Sequence, residues 1–172
     1  MLASHPALRR WLQADGSLTA RLRRHGQVTV QVLAQSAMPL WREERLELAV
    51  RCGYVREVIL LLDGVPVVWA RSATTYRAIQ GPWRALRGLG SRPLAELLFT
   101  GRQVLRAPLQ AWRAPRSSLQ DRHIRRKWQL ETQQTAAVAT PRWARSSVFL
   151  HKGHPLRVME VFSPWVIALA TV

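Results

Sequence analysis

A chain of 172 residues, 48% of them apolar, is long enough for one domain with a hydrophobic core, and this composition excludes a disordered protein. Its 26 basic and 10 acidic residues give a net charge of +16, but the charge is spread along the chain without a nucleic-acid-binding motif, so we expect no nucleic-acid partner. No apolar run reaches the roughly 20 residues of a membrane span, and no apolar leader opens the chain. Cys52 is the single cysteine, which fits a reducing compartment. We therefore expect a cytoplasmic protein, and we expect it to be a monomer.

Two helices and a strand are predicted in the first third of the chain. Proline in the first turn and a glycine after the last one predict a helix over residues 5–14, and a second helix follows over 18–25. Valines at every second position then predict a strand over 27–35. The mixed, charged residues 38–51 indicate a loop that can include a helical turn.

Residues 56–71 are the most strand-like stretch and predict a β-hairpin. Asp63-Gly64, between two aliphatic runs, is a strong signal for a two-residue turn. With that turn, Arg56 and Arg71 are direct cross-strand neighbours on an apolar face, where like charges are unfavourable unless an anion lies between them. The pattern predicts a pocket for a carboxylate-bearing small molecule, although a bulge at the turn would shift the register by one residue and weaken this pairing.

The second half of the chain predicts short helices followed by another hairpin. A helical turn is expected over 83–87, a helix over 93–99, and paired strands over 145–151 and 154–162. Residues 114–141 are polar and basic and carry a proline near each end, which predicts a mobile insertion. Because hairpin-connected strands outnumber helices, we expect an α+β fold, a single domain with an antiparallel sheet and helices on one side.

The last strand carries an acid, Glu160, in an apolar row with Leu156 and Val158. A two-residue turn in the second hairpin places Arg145 opposite Glu160. This pair is either a structural ion pair, which is the commoner case, or a polar group directed at a ligand. No cluster has the spacing of metal ligands, and the chain carries no phosphate-binding loop or nucleophile motif, so we expect neither a metal nor a cofactor.

Taken together, ordered blocks of the sequence resemble the chorismate pyruvate-lyase family over roughly residues 4–164. The blocks are DGSLT at 15–19, VREVILLLDGVP at 55–66, the segment from GP to LLFT at 81–100, WARSS at 143–147 and MEVF at 159–162. The resemblance implies a curved antiparallel sheet with helical flaps that cover a buried ligand pocket. It also implies the cofactor-free conversion of chorismate to 4-hydroxybenzoate and pyruvate at the start of ubiquinone synthesis.

The resemblance further implies a set of site residues. Arg56 matches an arginine that holds a substrate carboxylate, and Glu160 matches the acid on the side of the ring hydroxyl; these two form the expected catalytic pair. Arg71 matches a second arginine near the site, while Leu18 and Leu94 match positions that line and close the pocket. We expect Arg56 to anchor a carboxylate and polarise the leaving group. The ring proton is taken either by Glu160 or by the departing side chain.

Two features depart from the family pattern, and two other functions stay open. Residues 114–141 are longer and more basic than the family's connection, and the apolar tail, 165–172, is expected to pack on the sheet or bind a partner. One other function is a small-molecule sensing domain of the same fold, although residues 1–26 are too few for the DNA-reading domain that precedes such sensors. The other is a nucleic-acid-binding protein, which the charge alone suggests.

Overall fold

One curved antiparallel sheet organises the residues that the computed structural model describes, which are 5–100, 103–133 and 140–169. Its strands within these ranges are β1 (Val28–Pro39), β2 (Cys52–Leu62), β3 (Val65–Thr74), β4 (Val104–Arg106), β5 (Gln110–Arg113), β6 (Trp143–His151) and β7 (His154–Phe162). The strand order is β1-β2-β3-β7-β6-β4, and β5 also pairs with β6. The predicted α+β class with an antiparallel sheet is confirmed.

Short helices surround this sheet. The α-helices of the described ranges are α1 (Pro6–Leu12), α2 (Leu18–Arg23), α3 (Arg42–Leu48), α4 (Tyr76–Gln80), α5 (Ala95–Leu98), α6 (Leu119–Thr132) and α7 (Trp165–Ala168), and a 3-10 helix covers Arg84–Gly88. The helices predicted from the sequence are confirmed, with ends that differ by a few residues. None of the helices in these ranges is long and apolar enough to cross a membrane.

One face of the sheet is covered by two groups of these helices. At one end, α1, α2 and α7 bury apolar side chains such as Trp11 and Val166 against Phe162. At the other end, α4, the 3-10 helix and α5 pack side chains such as Leu86 against Phe149. The predicted packing of the apolar tail on the sheet is confirmed for α7, whereas residues 170–172 lie outside the described ranges.

The opposite face is also covered, so the expectation of helices on one side only is wrong. Residues 42–48, expected as part of a loop, form α3 because the Glu44 carboxylate accepts the Trp41 backbone N–H (2.8 Å) at the start of the helix. The helix then buries Leu48 beside Leu40. The hydrogen bond to this backbone N–H and the burial of Leu48 both favour a helix in this polar segment.

The second helix on this face, α6, lies within the predicted insertion at 114–141. Ser118 caps it by accepting the Asp121 backbone N–H (3.0 Å), and Ile124 and Trp128 are buried against Trp69 of the sheet. These two buried side chains are four residues apart and therefore lie on the same side of the helix. Residues 134–139 lie outside the described ranges, and the mobility of the insertion stays a prediction.

A β-bulge in the first hairpin decides where the side chains of β2 and β3 point. The turn itself is the predicted one, since Leu62 pairs with Val65 and both Asp63 (φ +48°) and Gly64 (φ +80°) adopt the left-handed backbone of a type I′ turn. The register then shifts before Leu61 along β2. This extra residue displaces by one position every pair that lies farther from the turn.

The bulge separates the two arginines that the sequence places together. Arg56 faces Ser72, and Glu57 faces Arg71. Because successive side chains of a strand point to opposite faces, Arg56 and Arg71 lie on opposite sides of the sheet. The predicted cross-strand pairing of Arg56 with Arg71 is therefore wrong, and the one-residue shift that would disrupt it is present.

Arg71 lies at the centre of a buried ionic network beneath α3 and α6. Its Nε donates to Glu44 Oε1 (2.6 Å), its Nη1 donates to Glu57 Oε1 (2.7 Å), and all three side chains are only 1–2% exposed. Glu57 also contacts His123 Nε2 of α6 (2.9 Å), and the Arg71 guanidinium lies 4.1 Å from the ring centroid of Trp41. The network therefore connects both helices to the sheet.

Replacing Arg71 with methionine should destabilise the protein by about 3–5 kcal/mol, because it leaves two buried carboxylates without their cation. Urea denaturation measures this change. Arg92→Met is the matched control, since Arg92 is 62% exposed and its side chain makes a surface pair with Glu96 and hydrogen bonds to the Leu89 (3.3 Å) and Gly88 (3.2 Å) carbonyls, all of which water can replace. We expect its effect to stay within about 1 kcal/mol. Equal stabilities of the two variants would contradict the structural role of Arg71.

The same network predicts a pH dependence through Glu57. Burial raises the pKa of this carboxyl, but its hydrogen bonds and charge interactions with His123 and Arg71 outweigh burial, so its pKa lies below the ordinary value. A lowered folded pKa gives stability above the unfolded pKa, about 4.3, that is lost as the pH falls through the folded pKa. The stability difference between wild type and Glu57→Gln should shrink as urea denaturation is repeated from about pH 6 to pH 3. A constant difference would refute this role.

Candidate active site

A small cavity of about 50 Å³ lies on the sheet face that α1 and α2 cover. Its floor is formed by sheet residues, which are Leu60, Ala70, Ser72, Ser147, Phe149, Val158 and Glu160. Three segments close over this floor: the residues from Gly16 into α2, the residues around α5, and the connection from β4 to β5. This volume has room for a few water molecules, whereas small-molecule sites usually measure roughly 300–1,000 Å³, so we expect the covering segments to move outward when a ring-sized ligand binds.

Glu160 borders the cavity and is held by Arg145. The predicted pairing is confirmed: Arg145 faces Glu160 across β6 and β7, and its Nε donates to Glu160 Oε2 (2.5 Å). Arg145 Nη1 also donates to the backbone carbonyls of Trp11 (3.0 Å) and Ala14 (2.8 Å), which end the α1 segment. Glu160 is still 18% exposed and lines the cavity. It is thus both a structural ion-pair partner and a group available to a ligand.

Arg56 is buried beside this cavity without an acid. Its cross-strand neighbour Ser72 lines the cavity floor, and its Nη2 donates to the carbonyls of Gly90 (2.8 Å) and Arg92 (3.1 Å) in the loop before α5. Its Nε has no hydrogen-bond partner. Burial lowers the pKa of this guanidinium, because removal from water disfavours its charged form.

The other buried arginines differ from Arg56 in one respect. Arg71, Arg145 and Arg157 are buried to the same degree, and each contacts at least one carboxylate; for Arg157 the partner is Glu47, at 2.7 Å. Among the buried arginines of the described residues, Arg56 alone lacks such a partner. A buried cation with a free donor favours an incoming anion, and the planar guanidinium suits a carboxylate.

The five residues that the sequence suggests for the site do not all come together. Leu18, Leu94 and Glu160 line the cavity. Arg56 lies on the same face and holds the loop that leads to Leu94. Arg71 points to the opposite face, where both of its acid partners are buried, so its expected place at the pocket is wrong.

One charged residue of the cavity was missed by the sequence analysis. Arg106 of β4 lines the cavity, with its guanidinium 5.2 Å from the ring centroid of Phe149. The strand that carries it has only three residues, too few to show an alternating pattern in the sequence.

Within the described ranges, no three or more His, Cys, Asp or Glu side chains come together in an arrangement that could hold a metal ion.

Solved structures show the same fold at low sequence identity. The C-terminal domain of the histidine utilization repressor from Pseudomonas syringae pv. tomato is 12% identical, with a TM-score of 0.52, and the match covers 81% of this chain and 93% of that domain. A GntR-family transcriptional regulator from Bacillus cereus is 7% identical, with a TM-score of 0.52 and coverage of 81% and 94%. At these identities the likeness concerns the fold alone.

Sequence relatives are considerably nearer. A protein named probable chorismate pyruvate-lyase from Albidiferax ferrireducens is 44% identical over 165 residues, which cover 91% of this chain and 83% of the relative. A protein of the same name from an Azoarcus species is 41% identical over 170 residues, with coverage of 94% and 86%. The family described as chorismate lyase matches residues 1–168. The chain therefore belongs to the chorismate lyase family.

Proposed function

We propose that this protein is a chorismate pyruvate-lyase that converts chorismate to 4-hydroxybenzoate and pyruvate, at the entry to ubiquinone synthesis. The observation that carries the proposal is Arg56, a buried cation without an acid partner on the sheet face that also presents Glu160. Chorismate is a small ring with two carboxylates and a hydroxyl, so a buried guanidinium and a nearby acid match its chemistry. The names of the relatives support the same reaction.

In this reaction the protein mainly has to orient the substrate and stabilise the charge that develops on the departing oxygen. The ether bond between C3 and oxygen breaks, C4 loses a proton, and the ring becomes aromatic. The departing enolpyruvate gains a proton at its methylene carbon and becomes pyruvate, so the atoms balance without a redox partner. Because aromatisation supplies much of the driving force, the site has to hold the substrate, exclude water and stabilise charge on the departing oxygen.

Each side chain of the site has a role in this scheme. Arg56 anchors the carboxylate on C1 of the ring. Glu160 accepts a hydrogen bond from the hydroxyl on C4, at the opposite end of the ring. Leu18 and Leu94, on two different covering segments, close the apolar walls around the ring. Since the closed cavity measures only about 50 Å³, these segments have to open for entry and release. Opening is therefore a candidate for the slow step of turnover.

A sensing domain is the second candidate function, because the solved structures of this fold include domains of transcriptional regulators. Such a domain would bind a carboxylate-bearing ligand at the same cavity and release it unchanged. The two functions differ in a single observation, which is whether product forms. A cytoplasmic monomer suits either function, and we propose that state for this chain.

Purified protein mixed with chorismate, without metal or nucleotide, should form 4-hydroxybenzoate, measured by chromatography with ultraviolet detection. Arg56→Ala and Glu160→Ala should each lower kcat/KM by about 100-fold or more, because each removes a charged contact with the substrate. Arg84→Met, at an exposed arginine of the 3-10 helix, is the control and should leave turnover unchanged.

Circular dichroism and thermal melting establish that these variants remain folded. Binding of chorismate by the wild-type protein without any product would favour the sensing function instead. Near wild-type turnover in a folded Arg56 or Glu160 variant would contradict the assignment of that residue to the site.

A further inference from the structure

Arg106 is a cavity cation whose hydrogen-bonding capacity is largely unused. It lines the same cavity as Glu160, and its Nε is buried without a hydrogen-bond partner. Its Nη1 makes a long hydrogen bond of 3.4 Å to the Gly16 carbonyl, and its guanidinium lies over the Phe149 ring at 5.2 Å. A buried N–H of a cation that lacks an acceptor is unfavourable, so this group favours a ligand with an acceptor oxygen.

The charges around Arg106 point the same way. Burial and the nearby Arg145 lower the pKa of Arg106, while Glu160 and Asp15 oppose that shift. Neither acid forms an ion pair with Arg106 in the described structure, and Glu160 Oε2 is engaged by Arg145 instead. Arg106 is therefore a positive charge in the same cavity as Glu160 without a direct carboxylate contact among the described residues.

The structure of chorismate connects this position with its second carboxylate. The ring carboxylate is on C1, the hydroxyl is on C4, and the enolpyruvyl ether is on C3, adjacent to the hydroxyl. If Glu160 contacts the hydroxyl, the enolpyruvyl group on the adjacent carbon also lies near Glu160, in the cavity that Arg106 lines as well. Arg56 would then hold the ring carboxylate at the other end.

We propose that Arg106 binds the carboxylate of the enolpyruvyl group, an inference that rests on the proposed lyase function. The chain then offers one arginine to each carboxylate, with Arg106 in the role that the sequence suggested for Arg71. When the C3–O bond breaks, negative charge grows on the enolate oxygen next to this carboxylate. A guanidinium there stabilises that charge in the transition state, so polarisation of the leaving group passes from Arg56 to Arg106.

The test compares a ligand that carries the second carboxylate with one that lacks it. For Arg106→Met, kcat/KM for chorismate should fall by about 100-fold, whereas the Kd of 4-hydroxybenzoate, measured by calorimetry, should change by less than about 3-fold. For Arg56→Met both quantities should worsen, because the ring carboxylate is present in substrate and product. Arg106→Lys keeps the charge without the planar fork and should recover part of the activity.

Arg113→Met is the matched control for the edge of the sheet. Arg113 lies on β5, is exposed, and stands 5.7 Å from the Trp143 ring centroid much as Arg106 stands over Phe149. Its replacement should change neither turnover nor product binding. Thermal melting of each variant establishes folding, and Arg106→Gln takes the place of the methionine variant if that variant does not fold.

Each outcome bears on a distinct claim. Equal losses of chorismate turnover and 4-hydroxybenzoate binding in Arg106→Met would overturn the assignment to the enolpyruvyl carboxylate, and so would unchanged turnover. In both cases wild-type turnover would leave the lyase function standing. A wild-type protein that leaves chorismate intact would overturn the proposed function, and the Arg106 inference with it.

Discussion

The one-residue β-bulge in the hairpin of β2 and β3 is the constraint on which both faces of this sheet depend. It sends Arg56 to the cavity face and Arg71 to the face covered by α3 and α6. In an unbulged hairpin the two arginines would share the cavity face, and Glu57 would lose its cation. The bulge thus separates one arginine that stabilises the fold from another that remains available to a ligand.

On the cavity side, a second guanidinium performs two tasks at once. Arg145 holds Glu160 through Nε and the carbonyls of Trp11 and Ala14 through Nη1. The acid of the site is therefore fixed by the same group that fixes the end of the α1 segment. A motion of this segment that preserves these bonds has to occur beyond Ala14, in the stretch that carries Leu18, so this side of the cavity can open while Glu160 stays in place.

Local patterns predicted the parts of this structure that depend on neighbouring residues. Alternating side chains and turn residues were enough for both hairpins and for Arg145 facing Glu160. The bulge was beyond their reach, because register past a turn depends on packing across the whole sheet. Helix α6 was missed since only two of its apolar side chains, Ile124 and Trp128, are buried within a basic segment. Arg106 was missed because β4 is too short to show a pattern.

A shared fold does not decide between a sensor and a lyase, because both have to bind a small ligand in the same cavity. What differs is where the charges stand relative to the bond that breaks. A sensor needs contacts with the ground state alone, whereas an elimination needs stabilisation of charge that appears on the departing oxygen. An arginine beside the ring carboxylate serves either function equally. An arginine beside the enolpyruvyl carboxylate interacts more strongly as charge grows on the departing oxygen, and this is the role that we propose for Arg106, which lines the same cavity as Glu160.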